Sequence, residues 1–177
     1  MGQGAGLTRE FKGIQIAVLT ISDSRTFETD TSGQYLCEAL KEAGHFLADR
    51  ELVPDHRYKV RAVVSKWIAD EKVQAILVTG GTGLTGRDGT PEAVMPLLDK
   101  TIDGFGELFR HLSYEEIGTS TLQSRALSGV ANGTIIFCVP GSTGACRTAW
   151  QGIIKSQLDN RTTPCNLIAL LPRFLEV

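Results

Sequence analysis

Two short segments, nearly all apolar, constrain the fold of this chain more than any other feature. They are residues 75–78 (Ala-Ile-Leu-Val) and residues 134–139 (Thr-Ile-Ile-Phe-Cys-Val), and a turn containing glycine follows each of them. Neither segment alternates apolar with polar residues, as a strand with one face in water does. A continuous apolar run is typical of a strand that helices cover on both faces of its sheet. We therefore predict two buried strands of a parallel sheet, with residues 75–78 at its centre.

The rest of the chain alternates strands and helices in the same way. We predict a first strand over residues 14–19 and a short extended segment over residues 45–53. Apolar residues at helical spacing predict helices over residues 31–43, 60–68, 105–112 and 146–154. The sequence Thr90-Pro91-Glu92 predicts one more helix start, with Thr90 as its N-cap. This order indicates a single doubly wound α/β domain, with a mostly parallel sheet and helices on both faces.

Length, charge and cysteine content exclude several classes of protein. A chain of 177 residues suffices for one domain, and we expect residues 1–12 to be a flexible N-terminal tail and residues 13–177 to form that domain. The net charge of -2 offers no broad basic surface, and no apolar run approaches the ~20 residues of a membrane-spanning helix, so we expect neither nucleic-acid nor membrane partners. The four cysteines lack metal-ligand spacing, which indicates reduced thiols in a cytoplasmic protein.

Three polar loops follow the predicted strands, at residues 20–24, 80–90 and 140–144. The carboxyl ends of parallel strands meet at one edge of a sheet, so we expect these loops to form one ligand site. In the middle loop, the sequence Gly80-Gly81-Thr82-Gly83 lets backbone N–H groups approach a phosphate, and the following helix adds the positive end of its dipole. The sequence therefore predicts a site for a phosphorylated ligand.

Asp88 stands in this predicted anion site beside Arg87. A carboxylate and a phosphate repel each other unless a cation lies between them, which predicts Mg²⁺ held by Asp88 together with phosphate oxygens. Arg87 would neutralise charge that develops during transfer. Taken alone, these residue types leave another interpretation open, in which Asp55 and Asp88 are turn aspartates, Ser142 is a helix N-cap and the glycines only form a tight turn.

Five motifs in order resemble one known family of proteins. They are TISDS at residues 20–24, DTSG at 30–33, LVPD at 52–55, GGTGLTGRDGTPEA at 80–93 and VPGST at 139–143. Together they resemble the MoaB/Mog family of molybdenum cofactor biosynthesis proteins, over nearly all of the chain after the tail. The second half of the chain is most similar to the MoaB branch of that family.

The resemblance implies a fold that binds molybdopterin and, in active members, adenylylates it with MgATP. The terminal phosphate of molybdopterin attacks the α-phosphorus of ATP, and pyrophosphate leaves. The resemblance makes Asp55 and Asp88 the catalytic residues and the protein ligands of Mg²⁺. It implies a nucleotide site at Gly80, Gly81, Thr82, Gly83 and Arg87, and a molybdopterin site at Ser22, Ser124, Gly141, Ser142 and Thr143. It also implies homotrimers, or homohexamers built from them, and partners among other proteins of the pathway.

Two functions remain open at this level. The chain is either a molybdopterin adenylyltransferase or a catalytically silent protein of the same pathway that binds molybdopterin or acts as a scaffold. The intact Arg87-Asp88 pair, followed by Thr90-Pro91-Glu92, favours the enzyme. The apolar run from Phe105 to Leu112 is either part of an oligomer interface or part of the core.

Overall fold

A six-stranded sheet forms the centre of the molecule, whose computed structural model describes residues 9–176. The strands are β1 (Gln15–Ile21), β2 (Phe46–Val53), β3 (Ala75–Thr79), β4 (Lys100–Thr101), β5 (Leu127–Ala131) and β6 (Thr134–Val139). They lie in the order β2-β1-β3-β6-β5-β4. The four strands β2, β1, β3 and β6 run parallel, whereas β5 and β4 continue the sheet antiparallel. The prediction of a mostly parallel sheet is confirmed.

Helices cover both faces of this sheet. The α-helices are α1 (Thr31–Glu42), α2 (Arg57–Ile68), α3 (Thr90–Val94), α4 (Asp103–Ile117), α5 (Thr143–Ala149) and α6 (Lys155–Gln157). A π-helical turn, Trp150–Ile154, joins α5 to α6, and 3₁₀ turns lie at Met95–Leu97, Gly118–Gln123 and Ile168–Arg173. The apolar sides of α1, α4 and α5 pack on one face, and those of α2 and α3 pack on the other. The doubly wound α/β prediction is therefore confirmed.

The side chains of β3 show why its sequence has no polar alternation. Ala75 and Leu77 point into the core on one face, and Ile76 and Val78 point into the core on the other. All five residues of the strand are buried, between β1 and β6. Both faces of a strand in this position must be apolar, as the sequence predicted.

Two local predictions were wrong or incomplete. The N-cap of α3 is Gly89 rather than Thr90; Thr90 is the first helical residue, and its Oγ1 donates a hydrogen bond of 2.7 Å to Gly80 O. The strands β4, at the edge of the sheet, and β5, between β4 and β6, were not predicted. β5 pairs with β6 through the tight turn Asn132-Gly133, whose φ angles are 46° and 81°, and an Asn-Gly pair is a strong hairpin signal that the periodicity argument did not use.

Other expectations concern the ends of the chain and the α4 helix. Residues 1–8, most of the predicted tail, lie outside the described residues; the amide of Lys12 donates to Asn160 Oδ1 at 2.8 Å. In α4, Phe105 and Phe109 are buried in the core. The core interpretation of this run therefore holds for both phenylalanines. Among residues 9–176, no helix has the length and apolar character needed to cross a membrane.

A buried carboxylate, Asp30, joins β1, β2 and α1. Its Oδ2 accepts hydrogen bonds from Thr20 Oγ1 at 2.7 Å and from Arg50 Nη2 at 3.0 Å, and its Oδ1 accepts one from the amide of Gly33 at 2.9 Å. The side chain of Asp30 is fully buried, and that of Arg50 is 18% exposed. A charge out of water requires such partners.

We expect Asp30→Ala to lower the free energy of unfolding by about 3–5 kcal/mol, because it leaves the Arg50 guanidinium partly buried without its counter-charge. Urea denaturation followed by circular dichroism measures the change. Glu176→Ala is the control, since it removes a carboxylate that pairs with Arg173 on the surface, where a loss below about 1 kcal/mol is expected. Equal losses in the two variants would contradict the structural role of Asp30.

Candidate functional site

A cavity of about 530 Å³ opens at the carboxyl ends of β1, β3 and β6. Residues from all three predicted loops line it, together with residues of α4 and the 3₁₀ turn that follows α4. The expectation that the loops meet in one place is confirmed. The cavity is lined by every residue predicted for the site except Thr143, namely Ser22, Asp55, Gly80, Gly81, Thr82, Gly83, Arg87, Asp88, Ser124, Gly141 and Ser142.

Two glycines at the exit of β3 bring the parts of the site together. Gly80 has φ +105°, and a Cβ atom there would lie 2.1 Å from Ile21 O. Gly81 has φ +64°, and a Cβ atom there would lie 2.4 Å from Thr90 Oγ1 and 2.8 Å from Asp55 Oδ2. Only glycine adopts these conformations without strain and leaves room for these neighbours. The chain therefore passes close to both β1 and Asp55.

Asp88 lies at the end of the same loop and is half-buried. Its Oδ2 accepts hydrogen bonds from Thr85 Oγ1 at 2.6 Å and from the amide of Thr85 at 2.8 Å. Burial acts to raise the pKa of this carboxyl, but the Thr85 hydrogen bonds, the Gly83 amide and the charge of Arg125 outweigh it and hold the pKa below its usual value. Asp88 is therefore a carboxylate at neutral pH.

Asp55 follows β2 and faces the glycine loop. Its Oδ1 accepts a hydrogen bond of 3.3 Å from the amide of Gly89. Burial raises the pKa of Asp55, and the neighbouring charges of Asp88 and Asp23 raise it further, against the opposite effects of the Gly89 amide and Arg87. A negatively charged Asp55 is thus disfavoured by its neighbours, and a cation placed beside it would be stabilised.

Arg87 and Asp23 form an ion pair between two loops of the cavity. Arg87 Nε and Nη2 donate to Asp23 Oδ2 at 3.0 Å and 2.7 Å. The other carboxylate oxygen, Asp23 Oδ1, accepts the amide of Asp55 at 3.0 Å. The Arg87 hydrogen bond, followed by the Asp55 amide, lowers the pKa of Asp23. Asp23 thus links the loop after β1 to both the glycine loop and the LVPD motif.

The carboxylates of Asp55 and Asp88 are suited to bind a cation that also binds phosphate oxygens. Within residues 9–176, no group of three or more His, Cys, Asp or Glu side chains is arranged to hold a metal ion. Mg²⁺ usually takes one or two carboxylates and completes its coordination with phosphate oxygens and water. Asp55 and Asp88, which lie close enough for one to raise the pKa of the other, match that limited protein contribution.

The serine hydroxyl groups that line the cavity have different surroundings. Ser124 Oγ is buried and, among the described residues, has no hydrogen-bond partner. Ser22 Oγ accepts the amides of Ser24 and Arg25, and Ser142 Oγ accepts the amide of Ala145 as the N-cap of α5. A buried polar atom without a partner is unfavourable, so Ser124 is the one of these three serines whose hydroxyl a ligand would satisfy.

Besides Ser22, three of the predicted molybdopterin residues are engaged with the protein itself. The N-cap role that the sequence left open for Ser142 is observed. Gly141 accepts a hydrogen bond of 2.6 Å from Ser32 Oγ through its carbonyl oxygen. Thr143 lies outside the cavity lining, and its hydroxyl is 2.9 Å from that of Thr31. These contacts fix the β6 to α5 turn against α1.

The charged residues that sequence reasoning missed include Asp23, which lines the cavity, and Arg125, which contacts the glycine loop. Asp23 lies within the TISDS motif, but its pairing with Arg87 joins residues 64 positions apart. Arg125 is remote in sequence from the glycine loop, yet it donates to Gly83 O at 2.8 Å and to Asp88 O at 3.1 Å. No local pattern signals either contact, since each depends on how the strands are ordered in the sheet.

Comparisons with known proteins agree on one family. Residues 17–160 match the family model described as "Probable molybdopterin binding domain". The chain is 59% identical to Molybdenum cofactor biosynthesis protein B of Escherichia coli (strain K12) over 160 residues, which are 90% of this chain and 94% of that protein. A crystal structure of a Molybdenum cofactor biosynthesis protein B is 47% identical with a TM-score of 0.82, covering 85% of this chain and 94% of that chain. The tungsten cofactor synthesizing protein MoaB of Pyrococcus furiosus is 34% identical with a TM-score of 0.73, covering 80% and 91% of the two chains.

We expect Gly81→Ala to lower the free energy of unfolding by about 1–3 kcal/mol, because alanine is strained at a positive φ. The added methyl group also displaces Thr90 or Asp55, so binding of inorganic pyrophosphate should weaken. Denaturation and calorimetric titration measure the two effects. Gly86→Ala is the matched control in the same loop: a Cβ atom there meets nothing within 4 Å, and a change within about 0.5 kcal/mol is expected. Indistinguishable variants would contradict the close packing at Gly81.

Proposed function

We propose that this chain, which belongs to the MoaB/Mog family of molybdopterin-binding proteins and takes part in molybdenum cofactor biosynthesis, adenylylates molybdopterin with MgATP. In this reaction a phosphate oxygen of molybdopterin forms a bond to the α-phosphorus of ATP. The bond between the α-phosphorus and the bridging oxygen breaks, and pyrophosphate carries away that electron pair. The products are adenylylated molybdopterin and pyrophosphate.

The proximity of Asp55 and Asp88 to the glycine loop carries this proposal. Two carboxylates next to a phosphate-binding backbone are unfavourable unless a divalent cation joins them, which is what a magnesium nucleotide provides. The pKa of Asp55 is raised because burial and the negative charges of Asp88 and Asp23 oppose its ionisation. A cation beside Asp55 would relieve both effects. When bound, Mg²⁺ would neutralise part of the negative charge of the triphosphate.

The residues of the chain then act mainly by positioning. The backbone of Gly81 and Thr82 binds phosphate oxygens, and Arg87 compensates negative charge at the same loop. The Ser124 hydroxyl, which has no partner among the described residues, forms a hydrogen bond with molybdopterin. Holding two anionic substrates in line replaces an encounter in solution by a step within one complex, and phosphoryl transfer needs little more from a protein.

We expect Asp88→Asn to lower the rate of transfer by at least about 100-fold, because the amide keeps the shape of the side chain but loses the charge that holds the cation. Pyrophosphate release from molybdopterin, ATP and Mg²⁺ measures turnover. Molybdopterin binding, followed by fluorescence, should stay within about twofold, because Asp88 lies on the nucleotide side of the cavity.

Asp70→Asn is the matched control, since Asp70 is an exposed turn aspartate that accepts the amide of Lys72, much as Asp88 accepts that of Thr85. It should leave turnover unchanged. Unchanged turnover in Asp88→Asn would refute the assignment of Asp88. If the unaltered protein binds molybdopterin but releases no pyrophosphate, the chain is the silent binding or scaffold protein instead.

The proposed assembly is a trimer, or a hexamer built from trimers. Leu108 and Tyr114 of α4 and Leu122 of the following turn are exposed by 44%, 53% and 82%. Ile117, also in α4, is exposed by 53% and lines the cavity. We define these four exposed apolar residues of α4 and the turn after it as the α4 patch. Several exposed apolar side chains in one helix and its following turn are typical of an interface between copies of a chain.

We expect Leu122→Asp to shift the protein towards the monomer, because each interface would then have to bury a charge. Light scattering coupled to size-exclusion chromatography measures the mass. Leu175→Asp is the control, since Leu175 is exposed by 64% at another surface and should leave the mass unchanged. A monomer in the unaltered protein would reject the assembly itself, and an unchanged oligomer in Leu122→Asp would reject the α4 patch.

The proposed setting is the cytoplasm, with other proteins of the pathway as partners. Cys37, Cys138 and Cys146 are buried free thiols, and Cys165 is an exposed one. Burial raises the pKa of Cys146 to about 11, which keeps it protonated at neutral pH. Unpaired thiols fit a reducing compartment.

A further inference from the structure

Arg125 contacts the glycine loop at its beginning and at its end. Its Nε donates to Gly83 O at 2.8 Å and to Thr82 O at 3.3 Å, and its Nη2 donates to Asp88 O at 3.1 Å. The backbone amide of Arg125 also donates to Thr82 O, at 3.2 Å. One side chain therefore fixes both ends of the segment that contains the Arg87-Asp88 pair.

The peptide groups that Arg125 holds also face the two aspartates. In a trans peptide, the C=O of one residue and the N–H of the next point in opposite directions. The Asp88 carbonyl points to Arg125, and on the other side of the same peptide the Gly89 N–H donates to Asp55 Oδ1 at 3.3 Å. The Thr82 carbonyl likewise accepts from Arg125, and the following Gly83 N–H faces Asp88 and favours its charged form.

We propose that Arg125 is a positioning residue, which orients the carboxylates of Asp55 and Asp88 through the two peptide groups that lie between it and them. A cation that binds the carbonyl end of a peptide polarises its N–H end, so each aspartate receives a stronger donor than an unaided amide provides. The role of these carboxylates as the cation-holding pair rests on the function proposed above.

The structure holds Arg125 rigidly enough for this role. Arg110 of α4 donates to Ala126 O at 3.1 Å, which fixes the backbone beside Arg125. Glu92, in the first turn of α3, accepts from Arg125 Nη1 and orients the guanidinium plane. The Arg125 side chain is 29% exposed. The acid that sequence reasoning assigned to the helix start is thus also the partner of the positioning arginine.

An arginine is required here because the targets lie in several directions. A guanidinium presents five donors in a fixed plane, whereas an ammonium is a compact charge with three donors at one atom. Nε and Nη2 reach carbonyls at opposite ends of the loop while Nη1 reaches Glu92. A lysine would keep the positive charge, but its single ammonium group could not reach both ends of the loop and Glu92 at once.

The direct test is amide hydrogen exchange in the protein without ligands, comparing Arg125→Gln with Arg61→Gln by NMR. Arg61 is a matched control because its guanidinium also donates to two backbone carbonyls, Ala93 O at 3.2 Å and Glu92 O at 2.8 Å, without contacting the glycine loop. We expect exchange of the Gly83 and Gly89 amides to be about tenfold faster in Arg125→Gln and unchanged in Arg61→Gln. Equal exchange in the two variants would overturn the proposal.

Arg125→Lys separates charge from geometry. We expect exchange of the Gly83 and Gly89 amides to resemble that of Arg125→Gln, because one ammonium cannot hold both ends of the loop. Full protection in the lysine variant would show that charge alone suffices and would overturn the positioning role. The melting temperatures of Arg125→Gln and Arg61→Gln should fall by similar amounts, so that a general loss of stability does not explain the difference.

A second measurement connects this role to the cation site. Affinity for Mn²⁺ in the presence of ATP, followed by electron paramagnetic resonance, should fall about 10- to 100-fold in Arg125→Gln, the usual effect of removing a residue that orients metal ligands. Molybdopterin binding should not change. If the unaltered protein releases no pyrophosphate but Arg125→Gln still speeds amide exchange, the proposed enzyme activity fails and the positioning role stands. If Mn²⁺ affinity and exchange are both unchanged, the positioning role fails whatever the turnover.

Discussion

The close passage of the chain at Gly80 and Gly81 is the constraint on which the rest of the site depends. At Gly80 the chain turns beside Ile21 O at the end of β1, and at Gly81 it passes between Thr90 and Asp55. Thr90 then closes the loop, since its hydroxyl donates to Gly80 O and its amide to Gly81 O. The start of α3 is therefore set by the exit of β3. A side chain at Gly81 would separate the glycine loop from Asp55, and Asp55 and Asp88 would no longer face one cavity.

The carboxylates of Asp30 and Asp55 differ in their burial and in the charges around them. Asp30 is fully buried and has a partner for each oxygen, so its charge is compensated within the fold. Asp55 is only partly buried, and its neighbours Asp88 and Asp23 oppose its charge. The first arrangement joins β1, β2 and α1, and removal of the carboxylate would leave Arg50 without its counter-charge. The second is a local excess of negative charge that a bound cation relieves. Burial and compensation thus distinguish the structural aspartate from the candidate functional ones.

Sequence reasoning predicted what depends on short-range pattern. The apolar run at residues 75–78 required burial on both faces, and the structure places its side chains alternately in two cores. Strand ends followed by glycines indicated where the loops meet. It failed where a contact depends on long-range order: Arg125 reaches the glycine loop only because β5 lies beside β6, and Asp23 meets Arg87 only because β1 lies beside β3. Thr90 was misassigned as an N-cap because the helix already includes it, with Gly89 in the cap position, and its hydroxyl donates to Gly80 O.

Two arginines, Arg125 and Arg87, connect the glycine loop to the rest of the protein through different kinds of contact. Arg125 holds the loop through backbone carbonyls, which a ligand does not replace, and its side chain is 29% exposed. Arg87, in contrast, is held by the carboxylate of Asp23, with the two side chains 67% and 42% exposed. An exposed ion pair contributes little to stability, and a phosphate offers Arg87 the same kind of acceptor as a carboxylate. Loss of the Arg87–Asp23 pair would therefore cost the fold little, while Arg125 still holds the backbone at both ends of the loop. The loop thus combines a fixed backbone frame with one exposed ion pair whose partners can be exchanged.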